Sequence, residues 1–182
     1  LVGSEMCIRD RFENVRKQGA LNLDGNSWAE VHDNESLDIT SAITLEAWVY
    51  WDEPNIEGIL GRFSALTADR NYMLYAVDTT TIEFYINTSP SVYTSMTNGW
   101  RHIVGTYDGA NRKLYVDGVL RDTDAMTAAI TTSDKPIEIG RYRHGSVSNL
   151  EYQDQLAQPR IYNRALTAEE VQRNYNAGKN TY

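Results

Sequence analysis

The sequence predicts an all-β protein of antiparallel strands, a sandwich or a barrel, with one short helix near its C-terminus. Three observations carry that expectation. From residue 20 onward, short apolar runs are separated by turn residues, the rhythm of many short strands. Four Asp-Gly or Asn-Gly pairs, at 24–25, 98–99, 108–109 and 117–118, mark tight reversals. Such reversals join antiparallel strands, whereas parallel neighbours need long crossovers. The chain is also rich in Tyr, Thr and Asn; aromatic and β-branched side chains suit a pleated, half-buried surface.

Strands are expected at 20–23, 28–31, 44–51, 58–63, 72–77, 81–86, 92–96, 100–107, 113–116, 119–122, 136–140 and 156–162. Asp24-Gly25 closes the first. The run Ala47 to Trp51 is apolar at every position, so its strand is covered on both sides or offers one side as a ligand face. In 81–86, Ile82, Phe84 and Ile86 share one face while Glu83 and Tyr85 take the other. Asn98-Gly99 precedes the strand of Trp100, and Asp108-Gly109 opens a slightly longer loop ending at Arg112. Leu114 and Val116 alternate with Lys113 and Tyr115, and Asp117-Gly118 then makes a two-residue type I′ hairpin. Ile137 and Ile139 alternate around Glu138. The helix starts at Thr167, whose partner Glu170 completes a capping box, with Leu166 and Val171 as hydrophobic staple. Gly178 supplies the expected C-terminal stop, and Val171 and Tyr175 form the docking face.

Residues 1–11, LVGSEMCIRDR, have no strand or helix period and resemble a translated sequencing adapter, so 12–182 is taken as the single domain. The one cysteine, Cys7, falls in that run, which leaves the remainder without thiol chemistry. The formal net charge of −8 repels a phosphate backbone and anionic lipid, disfavouring nucleic acid and membrane surfaces. No stretch approaches the roughly 18 apolar residues of a membrane span, so no membrane insertion is expected.

Five segments in order then resemble one family. ALNLDG (20–25), ITLEAWVYW (43–51), GWRHIVGTYDGANRKLYVDG (99–118), PIEIGR (136–141) and RIYNRALTAEEV (160–171) are similar to the laminin-G-like jelly-roll domains. The resemblance covers Ala20 to Tyr175 and implies an antiparallel two-sheet jelly-roll sandwich of the concanavalin A-like type. It also implies a place outside the cell or on its surface. It does not fix a function, because this fold hosts lectins, glycosidases and adhesion modules. Trp48 and Trp100 read as packing anchors and His102 as structural.

Catalytic machinery is not evident. Glycosidases of this fold place two carboxylates on one face; Glu30 and Asp33 are three apart, on opposite faces, in an acidic loop. His32, His102 and His144 lack metal-ligand spacing, and no nucleophile elbow or phosphate loop occurs. The resemblance implies a structural calcium near the first and last strands, with Asp24 and Asp33 as candidate ligands. Ala157 stands where the family has an Asp, and Asp154 lies three residues away. Sugar binding would use aromatic rings with polar neighbours: Trp51, Tyr72, Tyr93, Tyr142 and Trp28, beside Arg62, Arg70, Asn71, Arg141, Arg143 and His144. The basic, aromatic loop 141–145 is the first choice. Three readings stay open: a carbohydrate-binding module within a larger secreted or cell-surface bacterial protein, a protein-interaction or adhesion module, and a glycoside hydrolase.

Overall fold

A computed structural model describes residues 19–52, 54–63, 70–87, 91–144 and 148–182; the adapter-like run lies outside them. Two antiparallel six-stranded sheets face each other. Sheet I runs in the spatial order β1 (Ala20–Asn22), β14 (Gln155–Tyr162), β3 (Ile43–Trp51), β8 (Gly99–Tyr107), β9 (Asn111–Val116), β10 (Val119–Ala125). Sheet II runs β2 (Ala29–Val31), β11 (Ile137–Ile139), β4 (Glu57–Phe63), β5 (Arg70–Ala76), β6 (Thr81–Ile86), β7 (Val92–Ser95). A small third sheet is the hairpin β12 (Arg141–His144) and β13 (Ser148–Glu151). The helix α1 spans Ala168–Gly178.

Alternation decides which side chains enter the core. Ile43, Leu45, Ala47, Val49 and Trp51 of β3 meet Leu74, Ile82, Phe84 and Ile86 of sheet II, all fully buried. Gly105 is required at the centre: a Cβ there would stand 2.4 Å from the Phe84 ring. The turns follow their chemistry. Asp117 and Gly118 both take positive φ (53° and 76°), as a type I′ hairpin demands.

The other face of β3 is covered by α1, so its apolar run is buried on both sides. Glu46 is fully buried there. It accepts from His102 Nε2 at 2.9 Å, Arg160 Nη1 at 2.9 Å, the Tyr162 hydroxyl at 2.9 Å and Asn174 Nδ2 at 3.0 Å. Burial pushes this carboxyl up, but the His102 and Tyr162 bonds and the Arg160 charge outweigh it, and it ends below the usual range. The Thr167–Glu170 capping box is formed, and Leu166 and Val171 are buried together. Gly178 does not stop the helix. It is the last helical residue, packed so that a Cβ would lie 2.6 Å from Trp48 Nε1. Its smallness serves close approach to an indole rather than a left-handed cap.

Of the segment read as a loop at 141–145, residues 141–144 form strand β12. The chain leaves sheet II at Gly140 (φ 77°) and folds back over the outer face of that sheet. Gly58 permits this: a Cβ on it would stand 2.2 Å from the Arg141 carbonyl carbon.

Candidate functional site

The outer face of sheet II presents a row of paired residues across four strands. Gly58 of β4 pairs with Tyr75 of β5, Tyr75 with Glu83 of β6, and Glu83 with Tyr93 of β7. Directly paired residues share a face; β12 covers Gly58, so the uncovered part of the row, the platform, is Tyr75, Glu83 and Tyr93. Tyr93 is its exposed end, with 62% of its surface open. Glu83 is half-buried at the centre; it accepts the Tyr75 hydroxyl at 2.6 Å and the Ser91 hydroxyl. Burial pushes the Glu83 carboxyl up, against the Tyr75 hydrogen bond and the Arg112 charge. Burial and the neighbouring carboxylate together raise Tyr75 far above an ordinary tyrosine, so its hydroxyl stays a donor.

Behind the row lies an aromatic wall. Phe63 and Tyr142 meet edge-on at 5.1 Å, Phe63 and Tyr85 at 5.2 Å, and the Tyr75 and Tyr142 rings are 6.1 Å apart. Met73 and Leu150 complete this cluster. The hairpin is held in place by Arg141, whose guanidinium lies 3.6 Å over the Trp28 ring. Arg141 Nε donates to Glu138 at 3.0 Å, and its Nη2 donates to Glu138 and, at 3.5 Å, to Glu30.

The residues singled out for sugar binding therefore divide. Tyr93 and Tyr142 both lie on this face, but only Tyr93 is open: Tyr142 is buried among Phe63, Met73 and Tyr85. Trp51 and Tyr72 lie in the core: the Trp51 Nε1 donates to the Thr79 carbonyl at 3.0 Å, and burial pushes the Tyr72 hydroxyl up to about 12. Arg141 and Trp28 hold the hairpin. Arg62 is enclosed by Asp38, Asp33 and the carbonyls of Leu37, Ser133 and Lys135, and Asn71 by Thr131 and Ser133. β12 carries the backbones of Arg143 and His144, but their side chains, like that of Arg70, lie outside the described part. Glu83, Tyr75 and Ser91 were not singled out. The available signal was the lone Glu within an otherwise apolar or aromatic strand, opposite a Tyr.

The candidate calcium ligands do not converge. Asp24 Oδ1 accepts from the Asn26 backbone at 2.9 Å and the Ser27 hydroxyl at 2.8 Å, closing its own turn. Asp33 faces Arg62, and the Asp154 carbonyl accepts from the Leu23 backbone. Among the described residues, no group of three His, Cys, Asp or Glu is placed to hold a metal.

A family model for the concanavalin A-like lectin/glucanases superfamily matches residues 23–172. No curated protein matches the chain. Among solved structures, the binding domain of Paraclostridial Mosquitocidal Protein 1 is similar at TM-score 0.73 and 20% identity, over 96% of this chain and 47% of that one. The binding domain of botulinum neurotoxin DC is similar in two complexes. With SialylT the TM-score is 0.66, and with rat synaptotagmin II it is 0.65. Both show 14% identity, over 87% of this chain and 42% of the other. The chain thus spans less than half the length of these neighbours, and identities this low speak to fold alone.

Proposed function

The chain belongs to the concanavalin A-like lectin/glucanases superfamily, and from that premise we propose that it is a non-catalytic module that binds a glycan on the outer face of sheet II. One observation carries this: the three-strand row of Tyr75, Glu83 and exposed Tyr93, with the Tyr75 hydroxyl donating to the Glu83 carboxylate within it. An aromatic ring stacks on the C–H face of a pyranose while adjacent polar groups bond its hydroxyls. The hairpin β12–β13 walls one side. Within the row Glu83 is the only carboxylate, and Glu30 and Glu138 on the same sheet face are tied to Arg141. Hydrolysis needs a second carboxyl group at a set distance, so the arrangement favours binding over catalysis. Secretion or surface display within a larger protein fits this reading; among the described residues no helix is long and apolar enough to cross a membrane.

The test is a melt of the chain against a panel of soluble polysaccharides, with Tyr93→Ala alongside. A ligand bound only by the native state raises the melting temperature. Tyr93 is exposed, so its removal leaves the unliganded melt unchanged and abolishes the rise. A wild-type chain that no glycan shifts, or a Tyr93→Ala chain shifted as much as wild type, overturns the proposal.

A protein partner is the second reading, favoured by a separate observation. Val119 and Leu120 of β10 are about half exposed, at 49% and 47%. They follow Gly118, which lines a shallow surface groove with Ala168 and Gln172 of α1. A glycan-blind chain whose binding to a protein is lost in Leu120→Asp would favour this surface.

A further inference from the structure

We propose that the platform selects glycans without anionic groups and rejects uronated, sialylated and sulfated ones, with Glu83 as the discriminating residue. This rests on the reading that the platform binds a glycan, and adds which class of glycan it takes.

Glu83 sits mid-row, flanked in register by Tyr75 and Tyr93, so a sugar stacked on Tyr93 lies against its carboxylate. An ionised carboxylate only accepts hydrogen bonds. The Tyr75 and Ser91 hydroxyls already donate to it, which orients both oxygens and leaves lone pairs for a ligand donor. A neutral sugar hydroxyl or a protonated sugar amine supplies that donor. A ligand carboxylate or sulfate brings further acceptors and a like charge, leaving both groups desolvated without a partner.

Among the described side chains, Arg141 and Arg112 are each already paired with carboxylates of the protein, and the Arg112 charge acts on Glu83 from the opposite sheet. Arg141 is enclosed by Glu138, Glu30 and the Trp28 ring. Arg112 is buried in β9 of the opposite sheet, paired with Asp124. Beyond Tyr93 stands a further carboxylate: Asp122 Oδ2 accepts the Tyr93 backbone N–H at 3.1 Å. The overall charge of −8 adds to the same field. A structural neighbour was solved with SialylT; this platform points to a ligand of the opposite electrostatic class.

The experiment titrates the full chain with matched neutral and anionic probes: lactose against sialyllactose, and oligogalactose against oligogalacturonate. The anionic member of each pair should bind about tenfold more weakly at low salt, a modest like-charge penalty once solvent screening is allowed for. The gap should narrow as salt is raised. Glu83→Gln should bring the ratio towards one; the ratio is the readout, because this change also alters the contact with neutral sugar. Should Glu83→Gln fail to fold, Glu83→Ser serves as the second neutral variant, because salt alone does not separate Glu83 from the overall charge. Anionic probes that bind as tightly as neutral ones, or a ratio indifferent to Glu83→Gln, overturn the selectivity and leave the glycan reading standing. Binding by none of the probes overturns both.

Discussion

Replacing Gly58 with Ala separates what holds the hairpin β12–β13 from what holds the sandwich. Gly58 has no positive φ, so Ala meets no backbone strain. In an ordinary strand interior the change would stabilise by roughly 0.5–1 kcal/mol. Here the added Cβ would stand 2.2 Å from the Arg141 carbonyl carbon, 2.3 Å from its oxygen and 2.4 Å from the Tyr142 nitrogen. Carbon atoms in contact sit at about 3.5–4.0 Å, so the hairpin backbone must retreat by more than an ångström. It cannot retreat freely, because Arg141 is fixed by Glu138, Glu30 and Trp28 and Tyr142 by Phe63. Overpacking of this kind costs about 1–3 kcal/mol, or roughly 2–12 °C in melting temperature at this chain length. The sign is therefore opposite to that of a generic glycine replacement. Thermal melting reads the magnitude, and hydrogen exchange at the amides of Tyr142 and Leu150 reads the location. A Gly58→Ala chain that melts at or above wild type, with those amides still protected, would refute the reasoning.

Other outcomes follow from the same contacts. Glu46→Gln should destabilise the fold by about 1.5–3 kcal/mol, the range for weakened hydrogen bonds to a buried charge. Arg160, 40% exposed, can turn to water and keeps the loss from being larger; a urea midpoint equal to wild type would count against the network. Glu170 is held down to about 2 by the Arg164 hydrogen bond and then by the Thr167 backbone. Its contribution is thus present above an unfolded value near 4.5 and is lost as pH falls towards about 2. Glu170→Gln should flatten the stability curve in that window, and an unchanged acid limb would exclude the effect. Thr167→Ala should remove about 1 kcal/mol by opening the capping box, measured by chemical denaturation. Calcium and chelator should give the same melting temperature, because Asp24 and Asp33 face different partners; a rise with calcium would restore a metal site.

Much of the fold could be read along the chain because its causes are local. The alternation in 81–86, the Asp117-Gly118 turn and the Thr167–Glu170 cap each act within a few residues, and each appears in the structure where expected. The hairpin β12–β13 was missed because Tyr142 and Leu150 are apolar anchors in strands of four residues, too short for alternation to show. Gly178 was misread for a related reason: a glycine near a helix end looks the same whether it turns the chain or admits a Trp48 ring from another strand.

Chain order by itself determined the strands of the two large sheets, the Asp-Gly turns, the helix start and the acidic balance, since these depend on neighbours in sequence. It could not determine which aromatics reach a ligand. Trp51 and Tyr93 both look like stacking residues, yet one faces the core of sheet I and the other the open face of sheet II. Only the pairing of strands across the two sheets decides that, because a side chain's exposure depends on what lies opposite its strand. The platform of Tyr75, Glu83 and Tyr93 exists for the same reason: three strands, in one register, bring to one face residues that no local pattern connects.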